Sequence, residues 1–261
     1  MPYAIVQKSL ERPPVEGLAR AFQALPQLTD YDAASMAKDA YGILVQGLEL
    51  ADAGRLLQAM FAQGIEADMV DQGSLPPLPP PKPCRRAEPR PEHLVACDHL
   101  GRPQTFAWDD VILLAAGGVR DTEFKHVVKE RVIRRHRGTY GGYSEEVRYE
   151  HDDKPQEVVE MTLEIFLDVA PARLRIEARR FNFAYLGDRL HDSRPRNYAA
   201  LVADTLRQAA GAVLNRGAER LQREPGKLVT YPSKHAFEEE IVWLLWRHFV
   251  AGKQGAQGKD A

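Results

Sequence analysis

The chain has 261 residues, with 35 Lys+Arg against 37 Asp+Glu for a formal net charge of -2, 44% hydrophobic residues and 28% charged residues. This is globular composition with room for one or two cores, and it excludes bulk charge as the force that would hold the chain on nucleic acid or an anionic membrane. No apolar run reaches the ~18 residues of a membrane span, the first residues lack the basic-then-apolar layout of a signal peptide, and two cysteines, Cys84 and Cys97, cannot make a disulfide framework, so a cytoplasmic location is expected.

The first 75 residues alternate strand and helix signals. Tyr3-Ala4-Ile5-Val6 reads as a short strand, and Pro13-Pro14 opens a helix with Val15, Leu18, Ala19, Phe22 and Leu25 at helical spacing. Asp30 or Asp32 is placed to cap a second helix through Lys38. Tyr41 to Val45 reads as a strand. A third helix carries Ala53, Leu56, Leu57, Met60 and Phe61, with Gly64 at its C-terminal cap and a last strand from Ile65 to Met69. The expected order is β-α-α-β-α-β.

With the text of Asp32–Lys38, Gly42–Leu48, Ala53–Phe61 and Gly64-Ile65-Glu66-Ala67, this order over residues 3–71 resembles the C-terminal domain of the ribosomal large-subunit stalk protein. In that family the domain recruits translational GTPases through a basic helical face. Here the first two helices offer only Arg20 and Lys38, beside Glu16, Asp30, Asp32 and Asp39. The resemblance therefore implies the fold and not the GTPase partner.

From Pro76 to Pro91 the chain reads PPLPPPKPCRRAEPRP, with eight of its 18 prolines. Each proline fixes φ and removes a backbone donor, so polyproline II and a spacer of up to ~50 Å are expected. Pro77, Pro80 and Lys82 fit the PxxPx[KR] pattern read by SH3-type grooves, the bland alternative being a spacer with no receptor. The expected domains are thus 1–75, a linker at 76–91, a larger module at 92–250 and a frayed tail at 251–261, in an α+β protein.

The larger module opens with strands at 93–98 and 105–114. Its clearest pattern is the alternation of Met161, Leu163, Ile165 and Leu167 with Thr162, Glu164, Phe166 and Asp168, answered by Leu174, Ile176 and Ala178 against Arg173, Arg175, Glu177 and Arg179. A mainly antiparallel hairpin with one wet, charged face is expected, Glu164 pairing with arginines opposite. Pro195 starts a helix with Tyr198, Leu201, Val202, Thr205, Leu206, Ala209 and Val213 on one side, stopped by Gly217. Ser233 caps a last helix whose core side is Phe237, Ile241, Leu244, Leu245 and Phe249. The strand pair ending in Trp108-x-Asp110-Val111, the later hairpin and the packing helix resemble bacterial pleckstrin-homology-type domains over 92–250.

The sharpest chemical feature is KHVVKERVIRRHR, 125–137, with six Lys/Arg and two His against one Glu, followed by Tyr140 and Tyr143. Lys125, Lys129, Arg131, Arg134, Arg135 and Arg137 suit phosphates and the tyrosines suit base stacking. The competing reading is a solvated arm neutralised by Glu145, Glu146, Glu150, Asp152 and Asp153. Cys84, His93, Cys97 and His99 lack the paired spacing of structural zinc, His151-Asp152-Asp153 reads as a loop, and Ala115-Ala116-Gly117-Gly118 lacks the GK[ST] of a phosphate loop. Asp109 and Asp110, adjacent on a strand, point to opposite faces. Trp243 and Trp246 share a helix side and are either core or a partner anchor, and the cluster Arg179–Phe183 is read the same way.

With no catalytic constellation, cofactor motif or metal set in view, the chain reads as a non-catalytic adaptor or scaffold working through contacts with a protein partner. Association with nucleic acid through 125–137 is the first alternative. An enzyme or small-molecule binder whose residues meet only in space is the second.

Overall fold

The computed structural model describes residues 1–98, 100–137, 142–168 and 172–257, and their side chains outside 123–154 and 251–257. The chain is α+β and divides into two compact units, Met1–Val119 with Glu160–Ala261, and Arg120–Val159.

The N-terminal elements follow the expected order: β1 (Tyr3–Gln7), α1 (Val15–Phe22), α2 (Asp30–Asp39), β2 (Ile43–Leu48), α3 (Leu50–Ala62) and β3 (Ala67–Asp71), with an antiparallel sheet ordered β2-β1-β3. Thr29, rather than Asp30 or Asp32, caps α2. Its hydroxyl accepts from the Asp32 N–H while Asp32 accepts from the Thr29 N–H, a reciprocal capping box. Gly64 ends α3 at φ +70°, the left-handed position where a side chain is strained. One face of this sheet packs Ile5, Leu44 and Leu48 against Leu18, Phe22, Ala33, Leu56 and Met60 from α1, α2 and α3.

Beyond it come β4 (Pro81–Pro83), β5 (Arg86–Pro89), β6 (His93–Cys97), β7 (Pro103–Ala107), β8 (Val111–Arg137), β9 (Gly142–Leu167) and β10 (Ala172–Glu177). Then follow α4 (Arg194–Gln208), β11 (Val213–Leu214), α5 (Arg216–Arg223), β12 (Thr230–Tyr231) and α6 (Lys234–Gln257). The main sheet is mixed, ordered β11-β8-β9-β10-β4, with β12 also on β8; β5-β6-β7 is a separate antiparallel sheet.

The proline segment is not an unpaired spacer. Pro81–Pro83 adds to β10 as a parallel edge strand, and Arg86–Pro89 is an edge of the small sheet. Edge positions are where a residue without an N–H costs no ladder bond. Leu75 and Leu78 pack on the core beneath.

That core explains why both halves fall in one unit. Ala4 and Val6 of β1, Ile43 of β2, and Leu113, Ala115 and Phe166 of the main sheet all meet Phe237, Ile241, Trp243, Leu244 and Leu245 of α6. Helix α6 thus has a sheet on either side. On its other face the main sheet presents Leu114, Leu163, Ile165, Leu174 and Ile176 to Tyr198, Leu201 and Leu221 of α4 and α5.

Several expectations shift accordingly. The charged face of the β9–β10 hairpin is not wet: Glu164 is 0% and Arg173 2% exposed, because α6 covers that face and the charges pair beneath it. Helix α4 ends at Gln208, Val213 lies in β11, and Gly217 is inside α5. Asp109 and Asp110 lie in a 3₁₀ turn, Trp108–Asp110, rather than on a strand. Phe249 is exposed, and α6 runs helical through Gln257 into what reads as a tail.

Candidate functional site

The basic segment lies within β8: Lys125, Lys129, Arg131, Arg134, Arg135 and Arg137 are strand residues, and Tyr143 is in β9. Tyr140 lies outside the described residues, as do the side chains of the rest. Every described residue of the unit Arg120–Val159 belongs to one of these two strands.

Pro77 and Pro80 are exposed. Lys82, also exposed, is the middle residue of β4 and pairs with Leu174. A PxxP ligand must present its extended backbone freely, and here its basic end is held in a sheet. Cys84 is buried, and burial, opposed by hydrogen bonding to backbone, pushes its thiol up to about 11. His93 and Cys97 occupy the two ends of β6, and His99 is outside the described residues, as is the side chain of His151. Among the described residues no group of three or more His, Cys, Asp or Glu is placed to hold a metal ion.

Ala115–Gly118 turns out to be a crossing point of the fold. A Cβ on Gly117 would lie 2.5 Å from the Tyr231 ring, and one on Gly217 1.7 Å from the Ala116 carbonyl oxygen. The Asn215 amide fills all four of its hydrogen-bonding sites there. Its oxygen accepts from Ala116 N–H at 2.9 Å and Ala218 N–H at 2.8 Å, and its nitrogen donates to Ala116 O at 3.2 Å and Tyr231 Oη at 2.9 Å. Tyr198 Oη donates to Thr162 O at 2.7 Å and accepts from Gly117 N–H at 3.3 Å. These glycines serve close packing.

Two charged clusters occupy the interior. Glu164 accepts from Arg173 Nε and Arg175 Nε, each at 2.5 Å, and Glu238 of α6 accepts from Arg173 Nη2 at 2.6 Å and Arg175 Nη2 at 2.9 Å. Burial works to raise the Glu238 carboxyl, but the two guanidinium groups outweigh it and hold it below the usual range. Second, Glu240 accepts from Arg216 N–H at 2.7 Å and Nε at 3.0 Å, while the Arg216 guanidinium lies 3.7 Å from the centre of the Tyr41 ring. Trp243 is fully buried and Trp246 packs partly on the same core, so the helical pair belongs to packing, as do Phe181 and Phe183, edge-on at 4.8 Å.

A third cluster is open to solvent. A cavity of about 530 Å³ lies where β5 and the turn after it face the C-terminal half of α4 and the 3₁₀ turn Ala184–Arg189. Asp204, whose side chain is 8% exposed, takes a two-point bond from Arg189 at 3.0 and 2.8 Å, a third contact from Arg207 at 3.4 Å and the Tyr185 hydroxyl at 3.2 Å. Across the cavity Glu88 bridges Arg86 at 3.1 Å and Arg90 at 2.7 Å. Burial pushes the Tyr185 phenol up, and the Asp204 charge adds to it. Sequence reasoning passed over this group, because its members lie at 86–90, 185–189 and 204–207 and meet only in space. One local signal was present: an aspartate at 204 among the apolar residues of α4.

No protein-family model matches the chain, and comparison with curated proteins and with solved structures returns no match.

Proposed function

We propose that this protein is a non-catalytic adaptor that engages a protein partner through the unit Arg120–Val159. The observation that carries this reading is that forty residues form a unit whose described residues are all in two strands. A two-stranded ribbon is marginally stable in water, and it carries two edges of N–H and C=O groups that a partner strand can complete.

Association with nucleic acid is the second reading. Its support is the run of six basic residues between Lys125 and Arg137, all within β8, a density of positive charge that suits phosphates.

The test joins Val119 to Glu160 through Asn-Gly and compares this shortened chain with the full one in pull-downs from native lysate, at low and high salt, with and without nuclease. A protein captured by the full chain under every condition and lost with 120–159 supports the adaptor. Capture of nucleic acid that disappears as salt rises favours the second reading. Equal capture by both chains overturns the role of the two-stranded unit.

A further inference from the structure

The open cavity beside Asp204 carries more positive charge than its own acids neutralise. Four guanidinium groups, Arg86, Arg90, Arg189 and Arg207, line it against two carboxylates, Glu88 and Asp204, a local excess of two in a chain of formal net charge -2. The excess is not hidden: the four arginine side chains are 61%, 55%, 57% and 67% exposed. Nor do the two acids exhaust the donors. Each guanidinium has five N–H groups, while Asp204 already accepts four hydrogen bonds, about the capacity of a carboxylate. The arginine nitrogens left over have no protein acceptor to gain by reorienting toward Asp204.

The supports are firm where firmness matters. Asp204 holds Arg189 in a bidentate pair from the wall of α4. The backbone behind Arg90 is tied by the Trp108 indole, which donates to its carbonyl at 2.8 Å. Guanidinium groups presented from two facing walls match the oxygens of a tetrahedral dianion, which a single carboxylate fills less well. Pro89, Pro91 and Ala184 supply a non-ionic wall beside them, room for the organic body of an ester.

We propose that this cavity is a binding site for a small organic phosphate, with Arg90 and Arg207 contacting the phosphate group and Arg189 held in place by Asp204. A monoester carries close to two negative charges at neutral pH, which balances the excess. All lining residues lie outside 120–159, so this site and the proposed partner-binding unit stand or fall separately.

The experiment is titration calorimetry of the full chain with inorganic phosphate, pyrophosphate and phenyl phosphate, with phenol as the uncharged control and chloride at matched ionic strength. Saturable binding of phenyl phosphate in the millimolar range or tighter, absent for phenol, is the expected result. Arg90→Gln/Arg207→Gln should weaken it at least tenfold while the ligand-free melting temperature stays within a few degrees. Arg102→Gln, at a guanidinium paired with Asp98 outside this cavity, should bind as the parent does. Three results would overturn the proposal: no saturable heat with any of the phosphates, an equal response to chloride, or unchanged affinity in the double variant.

Discussion

Trp243, on α6, donates its indole N–H to the carbonyl of Gln7 on β1 at 2.9 Å, across 236 positions of sequence. The approach depends on Gly42, at φ +77°, where an added Cβ would sit 3.0 Å from the same indole. Trp243→Phe loses the hydrogen bond and the volume of the five-membered ring at a fully buried site, at an expected cost of about 1–3 kcal/mol. Trp243→Ala is expected to cost about 3–5 kcal/mol. Because Ala4, Val6 and Ile43 share this core with α6, residues 1–75 expressed alone should lack a cooperative urea transition. A sharp transition in that fragment would show that its half folds without α6.

Glycine positions give predictions of opposite sign. Gly217→Ala drives a methyl into the Ala116 carbonyl, a backbone group that no side-chain rotation can move aside, and should rank among the most destabilising substitutions in the chain, at about 4 kcal/mol or more. Gly54, inside α3, has nothing within 4 Å of an added Cβ. There alanine should stabilise by about 1 kcal/mol through helix propensity alone. Chemical denaturation of the two variants checks both signs.

The Glu164 cluster is a buried network, and removing one member leaves charge behind. Glu164→Gln should cost about 3–5 kcal/mol, since Arg173 and Arg175 would share only Glu238. Replacing the pair together, Glu164→Met with Arg173→Met, should recover most of that loss. If the double variant is as unstable as the sum of its singles, the pair is not coupled as the distances of 2.5 and 2.8 Å imply.

Alkaline pH should unfold the protein through its tyrosines. Burial first, then the neighbouring Glu240 charge, raises Tyr41 from 10.0 to about 12, and burial likewise raises Tyr198 and Tyr231. A phenol raised in the folded state stabilises fully below its unfolded value. That contribution is lost as pH climbs from about 10 through about 12. Stability followed by circular dichroism should fall across this window, and Tyr41→Phe should flatten part of the fall.

The two thiols should differ in reactivity. Cys84 is 4% exposed and its thiol is raised to about 11, whereas Cys97 is partly exposed. At pH 8 a disulfide reagent should modify Cys97 in the native protein and reach Cys84 only on unfolding. Native labelling of both at one rate would contradict the burial of Cys84.

Much of the local structure was legible because it rests on neighbours in sequence. The β-α-α-β-α-β order follows from apolar spacing, the turn at Gly64 from its need for positive φ, and the β9–β10 pairing from alternation, with Glu164 opposite Arg175 in the register. Where sequence reasoning erred, it took a polar residue to mean solvent. Thr162, Glu164 and Arg173 look like a wet face, yet Phe166 on the same face already marked it as covered.

The sequence by itself determined the β-α-α-β-α-β order of residues 3–71 and the pairing of Met161–Leu167 with Leu174–Ala178, since these depend on periodicity and local sterics. Only the tertiary structure decided that Pro81–Pro83 forms a sheet edge, that α6 joins two sheets, and that Arg86, Arg90, Arg189 and Arg207 surround one cavity with Glu88 and Asp204. The physical reason is the same in each case. A charge or a proline acquires its role from the partner it meets, and those partners lie tens to hundreds of residues away.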